Sequence, residues 1–227
     1  MNSVILDFEE RVKEIELYFN HLKLILEKEA MLYFPNNQTR KTKIIELELT
    51  KVLKANCFLL LYNLSESSIR QALIEIYNHI SSKNIDYNLV NDEIKKIWIT
   101  HHYKDFKKLN VDEILNVLNN IANDIINVNF ETTNIKIGGS IDRRKINYFA
   151  KTIGFSDKVH HTLNNGNKLH LVKTRRNQLA HGEISFAQCG KNYSKEDLLK
   201  TKSQTIKYLR KILLNIKDYL ESEKYKL

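Results

Sequence analysis

Arg176, Asn177 and His181 fall within six consecutive positions, and their types suit phosphate chemistry. A guanidinium keeps its charge at physiological pH and presents a planar fork that matches two phosphate oxygens. An imidazole exchanges a proton near neutrality. An amide can orient either group. Wound as an α-helix at about 100° per residue, Lys168 to His181 puts Leu169, Val172, Leu179 and Ala180 on one apolar arc, with Arg176 in its middle. A second stripe holds His170, Thr174, Asn177 and His181. An arginine on an apolar face is costly to bury without an anion. The spacing therefore predicts a carboxylate or a phosphate beside Arg176. The plainer reading makes His181 a terminal helix residue near the negative end of the dipole, with the following Gly182 as the stop.

The elements that must position these groups read as helices. Apolar residues at Ile5, Phe8, Val12, Ile15, Phe19, Leu22 and Leu26 predict a first helix over about 4–33, ended by Pro35. A second, very long helix is predicted over about 42–82. Its centre, Ala55 to Leu64, is apolar on nearly all sides. Asn63, Glu66 and Arg70 form a polar seam through it; Glu66 and Arg70 can pair with each other, and the seam can meet Arg176. Shorter helices are expected at Asp92–Ile99 and Val111–Val128, and a short strand or turn at Ile135–Ile137. Another helix should open at Ser140 or Ile141 and stop at Gly154. The motif helix spans about 167–182, Gln188 to Tyr193 reads as a loop, and a last helix opens at Ser194 and covers about 194–222. The expectation is one all-α domain over 1–227, an up-and-down bundle carrying an inserted helical module at about 84–164.

Charge is concentrated around the motif. Between Lys136 and His181 ten Lys or Arg face only Asp142 and Asp157, so this stretch carries a net charge of +8 where the whole chain carries +9. That is the footprint of a polyanion site, with Arg143, Arg144, Lys145, Lys173 and Arg175 as candidate RNA contacts. The 227 residues, 42% hydrophobic and 28% charged, suit one well-filled core. No apolar run is long enough to span a membrane, and Met1 to Glu16 lacks the pattern of a signal peptide. Cys57 and Cys189 make no metal pattern and imply no disulfide framework, so a reducing cytoplasm is expected. The pairs His101-His102 and His160-His161 lack ligand spacing; no metal and no cofactor is expected.

Arg176-x-x-x-x-His181, with a polar residue directly after the arginine, resembles the signature of the HEPN superfamily, α-helical domains that include many metal-independent ribonucleases. Leu59 to Leu73, Gly138 to Ile146 and Val172 to Phe186 are similar, in that order, to the HEPN-like nuclease branch of bacterial conflict and restriction-type loci. The similarity runs from about residue 5 to the C-terminus. It implies a HEPN-like bundle, a toxin or antiviral role, and a composite cleft at a homodimer interface.

The residues themselves support such chemistry. RNA brings its own nucleophile, the 2′-OH, so a catalyst needs to move protons and hold the phosphate. His181 can do the first, Arg176 the second, and Asn177, one turn earlier on the same stripe, can orient His181 or the substrate. His170 is a supporting candidate with Glu66 and Arg70. One Arg-His pair supplies one proton carrier where an acid and a base are wanted; a two-fold dimer supplies two. The reading is a metal-independent endoribonuclease acting on RNA, tRNA among the candidates, and leaving a 2′,3′-cyclic phosphate and a 5′-hydroxyl. An antitoxin or other partner protein from a neighbouring gene can control it. The rival readings are a non-catalytic HEPN-type module that binds RNA, nucleotide or protein, and a DNA-binding component using Ser140–Phe155.

Overall fold

The computed structural model describes residues 1–27, 30–35, 41–102, 108–123, 126–130 and 140–227. Among them are eight α-helices and one two-stranded antiparallel hairpin. Helix α1 (Asn2–Glu27) buries Val4, Phe8, Val12, Ile15, Phe19 and Leu22 at helical spacing. The apolar stripe ends there, and the chain does not stay helical to position 33. Met31–Phe34 form strand β1, paired with strand β2 (Lys41–Ile44) in the register Met31 to Ile44. Four consecutive apolar residues have no single helical face to bury, and their aromatic members suit an extended backbone. Because Lys41–Ile44 are taken up in pairing with β1, α2 opens at Leu47, not at 42, and runs unbroken to Ser82.

Helix α2 is the spine. Its buried residues include Ala55, Phe58, Leu61, Tyr62, Leu64, Ile69, Leu73 and Ile76, and α1, α8, α6 and α7 all pack on it. Next come a 3-10 turn at Tyr87–Leu89, α3 (Asp92–His102) and α4 (Val111–Ala122), which has an Asn110–Glu113 capping box. Helix α5 (Arg143–Ile153) starts on the Asp142 cap and stops at Gly154, whose φ of 99° lies in the left-handed region. Its inner residues Ile146, Ala150 and Ile153 join Ile94 and Trp98 of α3 in the same core cluster as the bundle helices. The expected strand or turn at Ile135–Ile137 lies outside the described residues.

After a 3-10 stretch (His161–Gly166), α6 (Asn167–Ala180) carries the motif. The region expected as a loop at Gln188–Tyr193 holds most of a short helix, α7 (Phe186–Lys191), started by a Ser185–Gln188 capping box. A Cβ at Gly190 would lie 1.8 Å from the Lys51 carbonyl oxygen, so glycine lets the backbones of α7 and α2 touch. Helix α8 (Lys195–Glu221) opens on a Ser194–Asp197 box and closes the bundle. Arg210 grips Glu9 of α1 in a two-pronged contact at 2.7 Å, and the Tyr219 hydroxyl donates to the Ile153 carbonyl at 2.7 Å.

Candidate active site

Four residues from three distant parts of the chain close a ring around the motif. The Arg176 guanidinium lies 4.2 Å from the centre of the Tyr62 ring and donates to Asn177 Oδ1 at 3.1 Å. Asn177 Nδ2 approaches Ser140 Oγ at 3.4 Å, and the Ser140 backbone N–H donates to the Tyr62 hydroxyl at 3.0 Å. Tyr62 is a buried residue of α2, so its ring is a fixed platform. Ser140, at a φ of +74°, sits directly before the turn that leads into α5. An aromatic face beneath a guanidinium holds it flat and leaves its edge N–H groups free for an anion.

Arg176 does not enter the core; it is half-buried. With Leu59, Tyr62, Asn63, Glu66, Ser67 and Arg70 it lines an open depression of about 370 Å³. The polar seam of α2 thus meets Arg176, but at the surface: Asn63 and Arg70 are exposed, and Glu66 faces Arg70 at 3.9 Å. Among the described residues no carboxylate, Glu66 included, lies within ion-pair distance of Arg176. The anion that its burial calls for is not supplied by the chain in the described residues.

Local backbone chemistry sets His181. It is the C-cap of α6; the Gly182 N–H bonds to Leu179 O and the Glu183 N–H to Gln178 O. That doubled closure puts Gly182 at a φ of 70°, where glycine carries no steric cost. The imidazole is exposed and, among the described residues, makes no hydrogen bond. His181 lies five positions beyond Arg176, about 7.5 Å along the axis and about 140° around it. The two side chains of one protomer therefore leave the helix on different sides. Asn177, four positions before His181, shares its side.

The other basic candidates divide. Lys173 turns inward and binds Asp142 Oδ2 at 2.7 Å, while His170, exposed, holds Nδ1 3.7 Å from the same oxygen. Asp142 is buried and also accepts the Lys145 backbone N–H at 3.1 Å. Burial pushes its carboxyl up, but the Lys173 hydrogen bond and the Lys145 N–H outweigh that and hold it below its ordinary value of 3.8. Asp142 thus caps α5 and pins it to α6, fixing Ser140 two residues earlier. Arg175 is tied to the Tyr193 hydroxyl and Gln178 Oε1, both at 2.6 Å. Arg143 lines a separate depression with Asn147, Asp157, Lys158, Val159 and Tyr208, so it is not gathered around Arg176. Arg144 is exposed, and Lys145 lies over the Tyr148 and Phe149 rings. Among the described residues no three His, Cys, Asp or Glu converge as metal ligands.

Sequence spacing alone does not reveal Tyr62, Ser140 and Asp142 as part of this arrangement. Tyr62 reads as core within an apolar stretch. Ser140 follows two glycines, a sign of close backbone approach, and Asp142 is conspicuous only as a lone acid in a basic run.

The site belongs to an all-α bundle with an Arg-x-x-x-x-His motif at the end of a packed helix. The family model described as HEPN_MAE_28990-like HEPN matches residues 2–225, and the chain belongs to this family of the HEPN superfamily. No curated protein and no solved structure matches the chain. No helix among the described residues is long and apolar enough to cross a membrane.

Proposed function

We propose that this HEPN protein is an endoribonuclease of the toxin or antiviral-defence type, working through protein side chains on an RNA phosphodiester. The observation that carries the reading is Arg176: a half-buried guanidinium stacked on Tyr62, tied to a single amide oxygen, and opening on a depression with no carboxylate within pairing distance among the described residues. A phosphate is the natural occupant. A base removes the 2′-OH proton, O2′ attacks phosphorus, and the bond to O5′ breaks as that oxygen takes a proton from an acid. The products are a 2′,3′-cyclic phosphate and a 5′-hydroxyl. Arg176 stabilises the charge that grows on the non-bridging oxygens, and His181 is the proton carrier.

The divergence of Arg176 and His181 around α6 favours a cleft shared by two chains. A two-fold axis near the end of α6 brings each Arg176 towards the other protomer's side and supplies two imidazoles, one as base and one as acid.

The test is incubation of pure protein with total RNA, tRNA and duplex DNA in EDTA, wild type beside His181→Ala. RNA cutting with cyclic-phosphate ends, lost in the variant, is the expected result. Cutting by both proteins at equal rate removes His181 from the chemistry. Binding of RNA without cutting converts the site to a recognition module, and duplex-DNA selectivity assigns the basic face of α5 to DNA.

A further inference from the structure

The stripe of α2 that runs on from the Tyr62 platform carries hydrogen-bonding groups that the fold leaves unused. Leu59, Asn63, Glu66 and Arg70 follow one another at steps of 4, 3 and 4, so they share a face of α2. That face lines the same depression as Arg176. Glu66 lies one turn beyond Tyr62 and Arg70 two turns, about 6 and 12 Å along the axis. Glu66 Oε1 and Arg70 Nη2 stand 3.9 Å apart, close enough for charge attraction and too far for a hydrogen bond. Asp7 and Arg11, at the same i,i+4 spacing on α1, close to 2.7 Å. Among the described residues the side chains of Asn63, Glu66 and Arg70 make no hydrogen bond, so their donors and acceptors are free for a ligand.

We propose that this part of the depression is a subsite for a guanine base, next to the phosphate on Arg176. The inference rests on the ribonuclease reading of that arginine and adds the base that the strand carries there. Single-stranded RNA is read through unstacked bases that hydrogen-bond along their edges. Guanine presents two donors side by side, N1–H and the N2 amino group, and two acceptors beyond them, O6 and N7. A carboxylate accepts from the first pair, and a guanidinium donates to the second as a fork. The two edges meet at the corner between N1 and O6. Groups that read them therefore stand near each other without bonding, as Glu66 and Arg70 do. Adenine and cytosine offer a carboxylate a single amino group, and uracil a single N–H. Leu59 and Tyr62, on the same wall, supply apolar surface for the plane of the base. The volume of about 370 Å³ lies at the small end of ligand pockets, roughly 300–1,000 Å³, and suits one nucleotide.

The experiment measures base preference on the full chain in two ways. Total RNA is cut by the wild type in EDTA, and the new ends are sequenced. Separately, His181→Ala is titrated with fluorescent single-stranded RNA pentanucleotides that differ only at the central base. Guanine should be enriched at one fixed position beside the cut. The guanine strand should bind about tenfold or more tightly than the adenine, cytosine and uracil strands. Inosine lacks the N2 amino group that meets Glu66, and 7-deazaguanine lacks the N7 that meets Arg70, so each should weaken binding several-fold. Adding Glu66→Gln should erase the difference between guanine and inosine and keep that between guanine and 7-deazaguanine; adding Arg70→Met should do the reverse. Both side chains reach solvent and their i,i+4 attraction is worth little, so the melting temperature should hold in each variant.

RNA cutting without preference for guanine overturns the subsite and leaves the ribonuclease reading standing. Guanine-selective binding without cutting does the opposite. Failure to bind any strand, equal binding of all of them, or a guanine preference that survives both variants overturns the subsite.

Discussion

Replacing Arg176 with Met separates a phosphate-binding arginine from a structural one. In the free protein the guanidinium gains a stacking contact with Tyr62, worth about 0.5–2 kcal/mol, and one hydrogen bond to Asn177, worth about 1 kcal/mol net. Against this stands the desolvation of a half-buried charge with no carboxylate beside it among the described residues. Methionine has no charge to desolvate and still fills space over the Tyr62 ring. The stability change should therefore stay within about 1 kcal/mol, a melting shift of roughly 2–4 °C for a chain of this size. An arginine whose burial rested on an internal ion pair would instead cost about 3–5 kcal/mol on removal. Catalysis should respond differently: losing one preorganised group on the phosphate oxygens costs about 10²–10³-fold in rate. Arg176→Lys should be nearly as inactive, because it keeps the charge and loses the fork. Urea unfolding followed by helicity, beside RNA cleavage in EDTA, measures both quantities on the same protein. A variant destabilised by more than about 3 kcal/mol would show Arg176 to be a structural residue. A variant that folds normally and cuts within a few-fold of wild type would refute the phosphate assignment.

Three further outcomes are expected. Changing Arg143, Arg144 and Lys145 together to Gln should lower the slope of log RNA affinity against log salt by up to about 2 for single-stranded RNA, with the cleavage products unaltered; an unchanged slope would place the cluster away from RNA. Asp142 has a depressed carboxyl in the folded state, so its stabilising effect is full above its ordinary pKa and is lost as pH falls through the folded value. The urea midpoint should thus fall more steeply below about pH 4 for wild type than for Asp142→Asn, and parallel curves would show that the Lys173 pairing carries no such effect. Gly190→Ala should destabilise by about 1–3 kcal/mol or more, because its methyl would meet the Lys51 carbonyl; normal stability would mean that α7 can slide away from α2.

The parts of this protein governed by local chemistry are legible in its sequence. Helix α8 opens where Ser194 and Asp197 cap it, and α5 stops where Gly154 takes a left-handed turn. The motif helix ends at His181 because Gly182 closes it. The segregation of positive charge into residues 136–181 needs no fold to be seen. Periodicity misled where an apolar run had no neighbour of its own: Met31–Phe34 extends the spacing of α1, yet it pairs as a strand with residues seven to thirteen positions on. Segment α7 hid behind a glycine and polar residues, and its partner Lys51 lies 139 positions earlier. The site divides in the same way. Arg176, Asn177 and His181 announce themselves because chemistry-bearing types stand at helical spacing. The platform under Arg176 does not, since Tyr62 reads as one more core residue until folding sets its ring beneath the guanidinium and Ser140 on its hydroxyl. Side-chain type and helical period act over a few residues and can be read from the chain. Which distant ring, hydroxyl or carbonyl stands against them depends on how the helices pack, and only the tertiary structure decides that.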